Sequence, residues 1–196
     1  MRLDHIAYRV KDRTKTTKFF EDCFGYQCIG TWDLEFDDGS TTRFNMLVPP
    51  EKRPPKAEMW THYGPREAVF LASPSLNLEA NCEYHAPPEI AVSDGPLGSI
   101  VGDWVAKTNS GVGGIHHIAY AINNIDEVFD DWTNKGIEFL TDEVVDCPDD
   151  DLRQIFTKPQ PLLGDVIIEL IQRGNKGFCQ NSVKKLIEST NETNDQ

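Results

Sequence analysis

The tetrapeptide His-Ile-Ala-Tyr occurs twice, in "RLDHIAYRV" at 2–10 and in "GGIHHIAYAI" at 113–122, with its histidines 112 residues apart. A chain of 196 residues that writes the same apolar, β-branched run twice is constrained to a duplicated supersecondary unit. The period is too long for a solenoid, so two units must pair. The segments after the two copies agree in kind. After the first strand, "KDRTKTTKFFEDCFGY" reads as a helix with Phe19, Phe20 and Phe24 on its apolar face and Gly25 at its C-cap. After the second, "NIDEVFDDWTNKG" reads as a helix capped by Asn124 or Asp126 and closed by Gly136.

The second unit continues with strands at "IEFLTDEVVD", "LRQIFTKP" and "DVIIELIQR". The first continues with "QCIGTWDLEF" and "TTRFNMLVP" across a "DDGS" turn. Its last two strands are best placed at "EAVFLAS" and "PEIAVSD". The expected class is α+β: two tandem βαβββ modules pairing into one open, barrel-like sheet around a shared cleft. The modules cover 1–97, with a proline-rich insertion near 49–67, and 112–186, which ends in a lid helix. A linker helix fills 98–111, and 187–196 form a disordered polar tail.

A net charge of −13 argues against nucleic acid and anionic membranes as partners. No apolar run approaches the roughly 20 residues that span a bilayer. The N-terminus lacks a signal-peptide pattern, which points to the cytoplasm. The five cysteines form no C-x-x-C pair, as expected for reduced thiols.

Pairing the modules brings the repeated first strands together near a pseudo-two-fold axis, so His5 and His117 converge. Glu169 sits in the apolar run "DVIIELIQR" on the last strand. A carboxylate there is costly unless it is paired or bound to a cation. Two histidines and one carboxylate on rigid strands form the facial set that holds Fe(II) and leaves positions open. Zn, Mn, Ni or Co would also accept these ligands. If both lie in a regular strand, His116 faces away from His117 and only one of them enters the cleft; the repeat selects His117, and the sequence leaves His116 open as a support of the ligand, a substrate contact or an outer-face residue. His62 and His85 fall in irregular segments.

The duplicated unit, with ligands on its first and last strands, resembles the vicinal oxygen chelate (glyoxalase/bleomycin resistance/dioxygenase) superfamily. "GGIHHIAYAINNIDEVF", "LRQIFTKP", "IIELIQR" and "GFCQNSVKKLIES" resemble the catalytic domain of the 4-hydroxyphenylpyruvate dioxygenases. The resemblance implies metal ligands at His5, His117 and Glu169. It also implies substrate-pocket roles for Gln154 and Phe156, and a closing lid carrying Phe178 and Asn181. It departs at His116, where the family has Gln, at Ser93, where it has Asn, and at Ser182, where it has an aromatic residue. The iron site is kept and the substrate pocket altered. The implied activity is an Fe(II) dioxygenase acting on a small 2-oxo acid with O2, in a chain able to form a homodimer. The alternatives are a glyoxalase- or epimerase-type isomerase or lyase and an extradiol dioxygenase. The isomerase type usually has a fourth ligand on the last strand of the first unit, where Glu89 and Asp94 are the acidic residues.

Overall fold

The computed structural model describes residues 1–50, 88–147, 151–174 and 178–190. β1 (Arg2–Val10), α1 (Arg13–Phe24), β2 (Gln27–Glu35), β3 (Thr41–Val48) and β4 (Glu89–Asp94) form the first module. α2 (Ile100–Lys107) links it to β5 (Gly113–Ala121), α3 (Ile125–Asn134), β6 (Val145–Cys147), β7 (Leu152–Phe156), β8 (Ile167–Arg173) and α4 (Gln180–Ser189). α3 starts after Asn124, one of the two caps the sequence offers, and α1 starts after Asp12. Asp12 and Asn124 accept from the backbone N–H three residues on, and Gly25 closes α1 in the left-handed region at φ 71°.

All eight strands make one curled, half-open sheet in the order β2-β3-β4-β1-β5-β8-β7-β6. The order is the same read outward from the centre in both directions. The central pair, β1 with β5, is antiparallel and joins Ile6 to Ile118, His5 to Ala119 and Ala7 to His117. Offsetting each residue by 112 maps this pairing onto itself, so the pseudo-two-fold axis passes by Ile6 and Ile118. Each first strand then pairs in parallel with the last strand of its own module, β1 with β4 and β5 with β8.

The inner face of the sheet carries Ala7, Phe44, Met46, Ala91, Phe156 and Ile167. α2 covers it with Val101 and Val105, and α4 with Val183, Leu186 and Ile187. On the outer faces α1 packs over Leu47, Ile90 and Val92, and α3 over Ile155 and Leu170.

Four details differ from the sequence reading. The strand before β4 is "TTRFNMLV", paired to both β2 and β4, in the place given to "EAVFLAS"; residues 67–73, like most of the insertion at 49–67, lie outside the described residues. "IEFLTDEVVD" is strand only over Val145–Cys147. Its earlier apolar residues turn away from one another, Phe139 into the cluster under α3 and Leu140 into the inner core. On α1 it is Thr17 that is buried, while Phe19 and Phe24 are each 55% exposed; Phe20 alone of the three packs on the sheet, against Tyr8 and Tyr26. α4 continues past 186 to Ser189, because Leu186, Ile187 and the following Thr190 are all buried. Among the described residues no helix is long and apolar enough to cross a membrane.

Candidate metal centre

His5 and His117 project from the central strands onto the inner face, and Glu169 projects from β8 beside them. All three are buried, and their ligand atoms lie within 4.8 Å of one another. His5 Nε2 and His117 Nε2 are 3.3 Å apart, and each is 3.1 Å from Glu169 Oε2. Neither Glu169 oxygen has a partner in hydrogen-bond geometry. Three potential ligand atoms therefore converge on one point, the two imidazoles in contact with each other and each paired with the same carboxylate oxygen. Two ligands at right angles, each about 2.1 Å from one ion, would stand about 3.0 Å apart. The triangle observed here fits one ion, and a bound cation would balance the charge of the buried carboxylate in place of a proton on the imidazoles.

The electrostatics agree. Burial would push Glu169 up, but the two imidazoles hold it below the usual carboxylate range. Burial would push His5 down, yet Glu169 and Asp4 raise it. His117 is lowered, chiefly by burial.

The outer nitrogens of the two rings are both engaged. His5 Nδ1 meets Asp4 Oδ1 at 2.9 Å, and His117 Nδ1 meets His116 Nδ1 at 2.8 Å. Strand alternation forbids this, since neighbours should face opposite sides. The sheet permits it through two bulges. The β1–β5 register skips Asp4 and also skips His116, so each is an extra residue facing no partner. The two bulges are equivalent under the 112-residue offset. His116, which alternation places on the outer face, is instead buried, with its ring edge-on to those of His117 and of Trp104 on α2. Gly113, at φ +84°, makes the approach possible: a Cβ there would stand 2.1 Å from the carbonyl oxygen of Arg9.

Asp4 also accepts from Arg173 Nη2, which donates to Glu89 Oε2 at 2.9 Å. His5 and Arg173 together hold the Asp4 carboxyl at about 2, against the upward push of its burial. Asp4 and Arg173 do not stand out in the sequence, where Glu89 figures only as a candidate fourth metal ligand. The one signal was that both copies carry a polar residue directly before the histidine.

The remaining residues divide. Phe156 lies opposite Glu169 on β7, with its ring 5.2 Å from that of His117. Phe178 stands edge-on to His5 at 5.6 Å and covers the Arg173 guanidinium at 4.5 Å. Gln154, two residues before Phe156 on the same face, is fully buried, and neither of its amide atoms has a partner. Asn181 is exposed on the first turn of α4.

The Glyoxalase/Bleomycin resistance protein/Dioxygenase superfamily matches residues 2–156. The chain belongs to this superfamily. Solved structures show the same fold. A Streptomyces coelicolor methylmalonyl-CoA epimerase in complex with 2-nitronate-propionyl-CoA is 22% identical, with a TM-score of 0.57, over 89% of this chain and 99% of that one. The Mycobacterium tuberculosis methylmalonyl-CoA epimerase is 16% identical, with a TM-score of 0.56, over 89% of each chain. A mutant 4-hydroxymandelate synthase from Streptomyces coelicolor is 17% identical, with a TM-score of 0.66, over 97% of this chain and 53% of that one. No curated protein sequence matches the chain.

The superfamily's duplicated architecture lets the two halves be compared rung by rung. Ala7 and Ala119 are equivalent; Ala119 pairs with Glu169, and Ala7 pairs with Ala91. The first-module counterpart of Glu169 is therefore Ala91. By the same register Glu89 corresponds to Ile167, and Asp94 is bound to Arg43, with Oδ1 at 2.9 Å from its Nε. Neither acidic residue of β4 stands at the position equivalent to Glu169.

Proposed function

We propose that this chain is a non-heme Fe(II)-dependent dioxygenase, similar to the 4-hydroxyphenylpyruvate dioxygenases, acting on a 2-oxo acid or a related chelating small molecule. The observation that carries this reading is Ala91. A methyl group stands where the duplicated fold offers a fourth ligand, so among the described residues the set is two histidines and one carboxylate. That facial set leaves open positions for a substrate and for dioxygen.

A bound Fe(II) would supply the one-electron chemistry that dioxygen requires. The chain supplies the rest. His5, His117 and Glu169 hold the ion, and the Glu169 charge offsets part of its own. Asp4 accepts the Nδ1 proton of His5 and so keeps its Nε2 lone pair directed inward. Phe156 and Phe178 wall the site with apolar rings and exclude water. Gln154 brings an unused donor and acceptor to the same face and orients the substrate.

The rival reading is an epimerase, the activity named for the methylmalonyl-CoA epimerases that share the fold. Epimerisation needs a free base beside the substrate carbon. The carboxylates beside His5, Asp4 on β1 and Glu89 on β4, are both ion-paired to Arg173. That disfavours the epimerase reading.

The test is anaerobic loading with Fe(II), titration with a panel of 2-oxo acids, and then admission of O2. A visible charge-transfer band with one acid, followed by stoichiometric O2 consumption, is the expected result. Absence of any band, together with deuterium uptake at the α-carbon of methylmalonyl-CoA, would transfer the assignment to the epimerase.

Gln154→Leu gives a second check. An unpartnered buried amide costs on the order of 1–3 kcal/mol. The metal-free variant should therefore be more stable than the wild type by up to about that amount in urea unfolding. Its charge-transfer band should require far more 2-oxo acid. A variant that is less stable, with unchanged substrate affinity, would remove Gln154 from the pocket.

A further inference from the structure

We infer that His116 is a positioning residue for the metal: its unprotonated Nδ1 accepts the Nδ1–H of His117 and thereby fixes His117 Nε2 as the ligand atom. The inference rests on the metal reading above and adds a role that the three-ligand set does not contain.

Two nitrogens 2.8 Å apart must share one proton. His117 Nε2 faces His5 and Glu169 and needs its lone pair for an ion. The shared proton therefore belongs to His117 Nδ1, and His116 must be the acceptor. A metal-bound imidazole commonly donates its other N–H to a neighbouring acceptor, which sets its tautomer and ring orientation. The other half of this molecule contains such a pair: Asp4, at the equivalent bulge, faces His5 Nδ1 at 2.9 Å.

The two halves solve the same problem with different chemistry. The first uses a carboxylate anchored by Arg173. The second uses a buried imidazole, held by the edge-on ring of Trp104 at 5.2 Å between centroids. Trp104 lies on α2, so the linker between the modules sets the angle of one ligand. The bulge at His116 is what delivers the acceptor. A regular strand would turn it to the outer face and leave His117 Nδ1 without a partner.

Two variants separate this role from packing. His116→Phe keeps an aromatic ring against Trp104 but offers no acceptor. His116→Gln restores one through its amide oxygen. The probe is Co(II) alone, titrated into the metal-free full chain and followed by its visible spectrum against a competing chelator. His116→Phe should bind Co(II) about 10–100-fold more weakly, with an altered spectrum, and His116→Gln should recover most of the loss. Equal affinity in wild type and His116→Phe would overturn the inference, as would equal loss in both variants.

Wild-type protein supplies a test that does not depend on the folding of a variant. In long-range 1H–15N spectra of the Zn(II)-loaded chain, His117 Nδ1 should be protonated and His116 Nδ1 should carry the lone pair. The reverse pattern would overturn the inference. A folded wild type that takes up no divalent metal would overturn the metal reading itself, and the inference with it.

Discussion

Glu169→Ala protein should emerge folded and without metal. The wild type is expected to hold about one equivalent of Fe(II), Co(II) or Zn(II), and the variant almost none. Glu169 is the only anion among the three converging groups and is completely buried. Without it, two imidazoles must hold a divalent ion in a dry site with no compensating charge. Removing one member of a buried ion pair is usually destabilising because a charge is left behind. Here the group left behind can neutralise itself. Glu169 and Asp4 are what raise His5, so losing Glu169 lets the imidazole give up its proton. At pH 8 the metal-free variant should therefore melt close to the metal-free wild type. Added Co(II) should raise the melting temperature of the wild type only, since a ligand stabilises the state that binds it. Stoichiometric metal in the variant, measured by elemental analysis after desalting, would remove Glu169 from the site.

Much of this architecture is legible in local sequence. β1 and β5 repeat the same tetrapeptide, and the caps at Asn124 and Gly25 mark helix ends by their own side-chain and backbone chemistry. The proximity of His5, His117 and Glu169 is legible because a repeat implies an axis, and an axis brings equivalent residues together.

What escapes the sequence depends on partners. "TTRFNMLV" and "EAVFLAS" are both short apolar runs, and only pairing with β2 and β4 gives the first its place. Period-two alternation sends Asp4 and His116 outward. The bulges that turn them inward belong to the β1–β5 register, not to either strand alone. Ala91 is invisible for a different reason: an alanine in a strand carries no signal until its rung is aligned with that of Glu169.

Arg173→Met should cost about 3 kcal/mol of folding stability, a loss of roughly 100-fold in the folding constant. Arg173 ends β8, and its guanidinium is the counter-charge for Asp4 on β1 and Glu89 on β4. These two carboxylates are 2% and 16% exposed. A surface pair would be worth little, because water screens it and the side chains are mobile. This cluster is different: the charges are largely removed from water, and Met leaves both carboxylates without their shared cation. The cause can be separated from the loss of the Phe178 contact, which Arg173 also makes at 4.5 Å. Adding Glu89→Gln removes one stranded charge but does nothing for Phe178. If stranded charge is the cause, the double variant should regain roughly half of the lost stability in urea unfolding. If the stability stays lost, the Phe178 contact is the larger effect. The cluster binds the two modules to each other and, through Asp4, to the orientation of His5. Arg173→Met should therefore weaken Co(II) binding less than Glu169→Ala does, because Asp4 keeps its bond to His5 while losing its own anchor.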